Sequence, residues 1–309
     1  MPLNRGWSYR EQIGPRAAGE TVLKYLAASR VHSSEADWRE RLHRGEVEVE
    51  GTRVAAEDVL HAGQTLIWNR PPWDEPEVPT NFDILHEDDA IIVVNKPSGL
   101  PTMPAGGYLD HTLLSLVRGL YPGASPLHRL GRYTSGLVLF AREGQAASVL
   151  GRAWREHRVK KRYRALGQGT TRAEMFVIDV PIGPVPHPLI GTVQAACEGG
   201  RPAHSVALVL EQRDGHTLFS IDITTGRPHQ VRIHMAYAGH PLVGDSMYEA
   251  GGVLKHRPGL PGDGGYLLHA ELLEFAHPTT GERMTVTATP PACLQTRDEL
   301  ALESSRQFT

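Results

Sequence analysis

The sequence predicts an α+β protein: a mixed, mostly antiparallel sheet domain preceded by a small α/β module. Beyond residue 90, segments of strand character outnumber helical ones, and they do not alternate with helices in the rhythm of a parallel sheet. Ahead of them, residues 19–68 read as helix, helix and hairpin. Between the two lies Pro71-Pro72-Trp73-Asp74-Glu75-Pro76-Glu77-Val78-Pro79. Such a stretch continues neither a helix nor a sheet interior, because proline fixes φ and lacks the N–H. The domain boundary is set there, giving units of 1–75 and 76–309.

Each element has a local reason. Val22, Leu23 and Leu26 share one side of a helix over 19–29. A second helix starts near Ser34, with Asp37 three positions on as a capping box, and ends at Gly45. Glu46-Val47-Glu48-Val49-Glu50 alternates as a half-buried strand, and Gln64–Trp68 is its partner across a turn. The large unit opens on the buried strand Ala90-Ile91-Ile92-Val93-Val94. Further strands are predicted at 136–141, 176–180, 205–210, 217–223 and 284–288, and helices at 110–120, 144–157 and 229–238.

Composition narrows the class. With 309 residues, 40% hydrophobic and 22% charged, the chain reads as a soluble globular protein. No run of 18 apolar residues suggests a membrane span, and the stretch from Met1 to Gly6 lacks an apolar leader core. Two cysteines, Cys197 and Cys293, suit the reducing cytoplasm as unpaired thiols. The formal net charge is −3, yet residues 111–170 hold eleven Lys/Arg against Glu143 and Glu156, a local balance of +9. That segment reads as a phosphate footprint or as a solvated helix face.

Four segments carry chemistry. They are Val94-Asn95-Lys96-Pro97-Ser98-Gly99-Leu100, Leu127-His128-Arg129-Leu130-Gly131-Arg132-Tyr133-Thr134-Ser135-Gly136-Leu137, Val159-Lys160-Lys161-Arg162-Tyr163-Arg164-Ala165-Leu166, and Thr225-Gly226-Arg227-Pro228-His229-Gln230-Val231-Arg232-Ile233-His234 running on to Asp245. In this order they resemble the RNA pseudouridine synthases of the ribosomal-large-subunit type, and with Leu268-His269-Ala270 the resemblance covers residues 90–290. The N-terminal helix–helix–hairpin pattern resembles the small RNA-binding module that many of these enzymes carry. Its strand glutamates leave a degenerate, structural version equally open.

The resemblance implies RNA, ribosomal or transfer, as partner and uridine-to-pseudouridine isomerisation as reaction. It implies no cofactor and no metal, because the reaction has no redox change. Arg129 matches the residue that fills the gap left by a flipped base, Tyr163 the ring that stacks on uracil, and Arg232 the arginine that fixes the catalytic carboxylate. His128, Arg132, Lys161, Arg227 and His229 are expected along the RNA. The family's catalytic aspartate follows His-Arg-Leu, and here that residue is Gly131. Asp110 is the alternative carboxylate nearest in sequence. Asp245 reads as a turn former. Each match has a plainer reading: Tyr163 as an ordinary core ring, Arg232 as a surface charge, the histidines as structural hydrogen-bonders. Two functions stay open, an enzyme and a catalytically inactive RNA-binding homologue of chaperone type, with a cytoplasmic monomer expected for both. If only the carboxylate is missing, Gly131→Asp is expected to place one beside Arg232.

Overall fold

Capping and alternation shape the small unit. In the computed structural model, which describes residues 3–30 and 33–306, the chain divides into units 1–75 and 76–309. Met1 and Pro2, the start of the stretch read for a leader, lie outside the described residues. Strand β1 (Trp7–Gln12) precedes α1 (Val22–Ser29), whose cap Thr21 accepts from the Lys24 N–H at 3.4 Å. Helix α2 (Glu35–His43) begins with a reciprocal capping box. Ser34 Oγ accepts from the Asp37 N–H at 3.1 Å, and the Asp37 carboxylate accepts from the Ser34 N–H at 2.8 Å. Strands β2 (Val47–Val49), β3 (Thr52–Arg53) and β4 (Thr65–Arg70) complete an antiparallel sheet in the order β1-β4-β2-β3. Its apolar face packs Leu26, Trp38, Leu42, Val47 and Leu66 together, with Trp38 edge-on to Trp68 at 4.8 Å. Three of the unit's arginines form ion pairs: Arg30 with Glu11, Arg39 with Glu35 and Glu57, Arg44 with Glu40 and Glu46.

The large unit runs β5 (Asp83–Glu87), β6 (Ile91–Lys96), α3 (Leu113–Leu120), β7 (Ser125–Pro126), β8 (Ser135–Ala141), α4 (Gly144–Arg155), β9 (Lys160–Gln168) and β10 (Met175–Ile178). A hairpin of β11 (Ile182–His187) and β12 (Gly191–Ala196) follows, then β13 (Ser205–Arg213), β14 (His216–Ile223) and α5 (Gln230–Tyr237). A short hairpin of β15 (Tyr248–Glu249) and β16 (Val253–Leu254) leads to β17 (Leu268–Ala276), β18 (Arg283–Thr287) and α6 (Arg297–Arg306). The main sheet has the order β10-β13-β14-β9-β17-β8-β6-β5, with β18 and β7 added on β17 and β8. Only the β17–β8 pair is parallel among the named pairs, so the sheet is mixed and mostly antiparallel.

Strand β8 explains the tightest point of this sheet. All seven of its residues are buried, and it pairs with β6 on one side and β17 on the other. At its second residue, Gly136, φ is +102° and a β-carbon would overlap the Ala270 backbone. Only glycine lets the two chains approach there. Helix α4 covers one face of the sheet through Ala146, Leu150 and Ala153, and α3 covers another part through Leu113, Leu114 and Val117.

Part of the positive balance over residues 111–170 is already paired. Arg162 is held by Asp222 at 2.9 and 3.1 Å. Arg164 is held by Glu271 and Glu299, both at 2.8 Å, and Arg158 by Glu156 at 2.6 Å. Three of these carboxylates arrive from strands or helices far along the chain, so the local sum of charge overstated what is free. A chain of residues 76–309 is expected to fold alone, since its core clusters draw on no residue before Pro76. A single cooperative melt of that fragment is the check, and an insoluble or non-cooperative fragment would place the boundary elsewhere.

Candidate active site

The turn that carries Gly131 is braced from two sides. Lys96, fully buried at the end of β6, donates to the carbonyls of Pro97, Leu100 and Arg132 at 2.8, 2.7 and 3.0 Å. Burial lowers its pKa to about 7. Thr102 Oγ1 donates to the Leu130 carbonyl at 2.9 Å and accepts from the Leu130 N–H at 3.2 Å. The residues on either side of Gly131 are therefore fixed, and the Thr134 N–H closes the turn onto the Gly131 carbonyl at 3.1 Å.

Gly131 itself does not occupy the left-handed region, so its backbone suits any L-residue. The reason for glycine is instead the space in front of it. A β-carbon there would fall on the hydroxyl of Tyr266, far inside van der Waals range. Tyr266 is 2% exposed, its hydroxyl lies 3.3 Å from Thr134 Oγ1, and its ring meets Tyr133 edge-on at 6.3 Å. Placing a carboxylate at Gly131 therefore requires the Tyr266 phenol to shift.

Arg232, on α5, faces the other side of this ring, with its guanidinium carbon 4.1 Å from the Tyr266 centroid. It is 2% exposed, which removes its reading as a surface charge. Its Nε and Nη2 donate to Asp245 at 2.6 and 2.8 Å, while Nη1 is buried with no partner among the described residues. Asp245 was read as a turn former and is one, since its Oδ1 also accepts from the Met247 and Tyr248 N–H groups at 2.8 and 3.2 Å. It is also the carboxylate that holds the arginine. Burial alone would raise its pKa, but the hydrogen bonds and charge of Arg232 outweigh that and hold the carboxyl below its ordinary range.

His229 joins the same group. It caps α5 with φ +59°, an uncommon conformation outside glycine, and its Nδ1 lies 2.7 Å from Tyr248 Oη. The Tyr248 hydroxyl donates onward to the Gln194 carbonyl at 2.7 Å, so Nδ1–H is the donor and Nε2 keeps its lone pair. Burial and then the Arg232 charge push the His229 pKa down to about 3, with Arg129 adding to the effect, so the ring is neutral. Arg129 is exposed and has no ion pair among the described residues. Tyr163 packs where two cores meet, one holding Leu130 and Ala270, the other Tyr266 and Val231, and burial raises its pKa to about 12. Gly131, Tyr163 and Arg232 thus gather around Tyr266, with His229 bonded to Tyr248 beside Arg232 and Arg129 close enough to act on the His229 charge.

Other expected residues do different work. His128 Nε2 accepts from the Leu139 N–H at 3.1 Å, its ring stacks on Trp154 at 4.4 Å, and burial, helped by the Lys161 charge, takes its pKa to about 3. Lys161 is 4% exposed and donates to the carbonyls of Thr224 and Thr225, so burial lowers its pKa to about 8. In this structure both side chains brace the fold from within. Arg132 donates to the Gly99 carbonyl at 2.9 Å and lies between the rings of Tyr108 and Tyr133. Arg227 donates to the Pro202 carbonyl at 3.0 Å, and Asp110 sits in the loop ahead of α3. Sequence reasoning missed Tyr266, Tyr248 and Thr134, and gave Asp245 half its role. No group of three or more His, Cys, Asp or Glu suited to a metal occurs among the described residues. Likewise no described helix is long and apolar enough to cross a membrane.

Comparisons with known proteins bear on the family and the fold. The family model described as RNA pseudouridylate synthase matches residues 90–237, which include Gly131, Tyr163, His229 and Arg232. An uncharacterised RNA pseudouridine synthase of Synechocystis sp. is 40% identical over 92% of this chain and its own whole length. RNA pseudouridine synthase 5 of Oryza sativa is 35% identical, covering 96% of this chain and 90% of the relative. Among solved structures, human RNA pseudouridylate synthase domain containing 1 superposes with a TM-score of 0.55 at 27% identity, over 74% of this chain and 97% of that one. With a fold and relatives over nearly the whole chain all of one kind, the chain belongs to the RNA pseudouridine synthase family, among its ribosomal-large-subunit type.

Proposed function

We propose that the protein isomerises uridine to pseudouridine in RNA, at the site around Tyr266, Arg232 and Tyr163. The observation that carries this reading is the buried Arg232–Asp245 pair with one guanidinium nitrogen, Nη1, left without an acceptor. A buried donor of this kind costs free energy unless a ligand completes it. The target base leaves its stack to enter such a site. Arg129, exposed and unpaired at the rim, is suited to hold the neighbouring phosphates, and the Tyr163 ring offers an apolar face to the uracil. Gly131 stands where the family has its catalytic aspartate, and Asp245, turned toward Arg232, is not its replacement at that turn. A relative in Vibrio parahaemolyticus, 32% identical, is named ribosomal large subunit pseudouridine synthase D, which makes large-subunit ribosomal RNA the first substrate to try.

A second reading is favoured by one observation: no carboxylate stands at residue 131, and a phenol fills its place. On that reading the protein binds RNA, in the manner of a chaperone, without turnover. Tritium release from transcripts carrying uridine labelled at carbon 5, measured beside RNA binding, separates the two. Release supports isomerisation; tight binding without release supports the second reading.

Binding has its own test. Arg129→Gln is expected to weaken RNA binding and to reduce the slope of log affinity against log salt by about 1, because one phosphate contact is lost. Arg162→Gln is expected to leave the slope unchanged, since Asp222 already neutralises that side chain. The opposite pattern would move the phosphate track to the strand face of β9.

A further inference from the structure

A phenol in the place of a carboxylate is either a plug or a substitute. Three features of Tyr266 favour the second. Its oxygen lies within the reach that the side chain of an aspartate at residue 131 would have, since a β-carbon built there falls on it. The Arg232 guanidinium stacks 4.1 Å from the ring centroid, which favours negative charge developing on the phenol. Thr134 Oγ1, 3.3 Å from the oxygen, can donate a hydrogen bond to the same charge. Tyrosine is an established type of covalent catalyst, and some glycosidases attack an anomeric carbon with one.

Resting on the isomerase reading above, we propose that Tyr266 is the catalytic residue of this protein, its phenol taking the part of the aspartate that Gly131 lacks. The N1–C1′ bond of the flipped uridine breaks with its electron pair going to uracil. The phenol proton passes to uracil O2, and the phenolate oxygen closes a bond to C1′. Uracil then turns, and its C5=C6 pair attacks C1′. The O–C1′ pair returns to Tyr266, and the phenolate so formed takes the proton from C5. The proton on O2 exchanges to N1, which gives pseudouridine. Atoms and electrons balance without a co-reactant. Throughout, Nη1 of Arg232 is the donor left for an oxygen of the bound nucleotide.

Tyr266→Phe tests this, because it removes one oxygen and keeps the ring that packs on Arg232. The full chain and the variant are given large-subunit ribosomal RNA transcripts tritiated at uridine carbon 5. The expected result is at least a hundredfold loss of tritium release in the variant, with the melting temperature and RNA affinity of the natural protein retained. Release at the natural rate in Tyr266→Phe overturns the proposal and leaves the isomerase reading standing. A variant that loses release together with stability or RNA affinity also overturns it, since the hydroxyl is then structural. A natural protein that binds the transcripts and releases nothing overturns the isomerase reading and this proposal together.

Discussion

Asp245→Asn is expected to lower folding stability by about 3–5 kcal/mol, because it leaves Arg232 charged, buried and uncompensated. The side chains of the pair are 2% and 1% exposed, so water cannot replace the lost partner. Asparagine keeps the oxygen that accepts from the Met247 and Tyr248 N–H groups and from Arg232 Nη2, which isolates the loss to the charge and to the Nε bond at 2.6 Å. Denaturant melts measure it. Removing both charges, as in Arg232→Met with Asp245→Asn, should cost less than Asp245→Asn alone, since no buried charge then remains. Acid sets the sign of a further check. The folded carboxyl lies below its ordinary pKa, so its stabilising contribution is complete above the unfolded value near pH 4 and is lost as the pH falls through the folded value. The difference between natural protein and variant should therefore shrink on acidification. A cost below about 1 kcal/mol at neutral pH would show that the pair is reached by water.

What the chain reveals without its structure follows from range. Helix α2 was legible because Ser34 and Asp37 cap it within four residues, and β6 because Ile91 to Val94 can only be buried. Strand β9 was visible as a motif and not as a strand, since Lys161 and Arg164 point inward and break the apolar pattern that marks burial. Strands β1 and β5 were missed for the opposite reason: they lie exposed at sheet edges and have little apolar alternation to read. In the site, Arg232 and Tyr163 were legible through motifs. Asp245 was half legible, because its turn is local and its arginine is thirteen residues away. Tyr266 was not legible at all. It follows the glycine-rich run Gly262-Asp263-Gly264-Gly265, and it reaches residue 131 only because β17 pairs with β8 in parallel through His269 and Ala270. That pairing belongs to the sheet, and no local pattern announces it.

The same pairing sets the second large effect. Gly131→Asp alone is expected to destabilise the protein by about 1–3 kcal/mol, the usual cost of overpacking, and to leave it without gained activity. The backbone accepts the new residue, since φ at 131 lies outside the left-handed region, so the cost is steric and falls on Tyr266. Combining Gly131→Asp with Tyr266→Leu removes the phenol tip and clears the volume. The new carboxylate is then expected to reach toward Arg232, whose Nη1 is a buried donor without an acceptor among the described residues. Such an acceptor both satisfies the donor and keeps the carboxylate ionised. The double variant should be more stable than the sum of the two single changes by about 1 kcal/mol or more, as residues in contact are when their conflict is removed. It should also release tritium at least a hundredfold faster than Tyr266→Leu alone, which has neither phenol nor carboxylate at the site. Melts of the four proteins in the cycle and one release assay on each give both answers. Strict additivity, with Gly131→Asp as stable as the natural chain, would mean that the hydroxyl of Tyr266 does not hold the place of a side chain at 131. The two residues would then be neighbours without being alternatives.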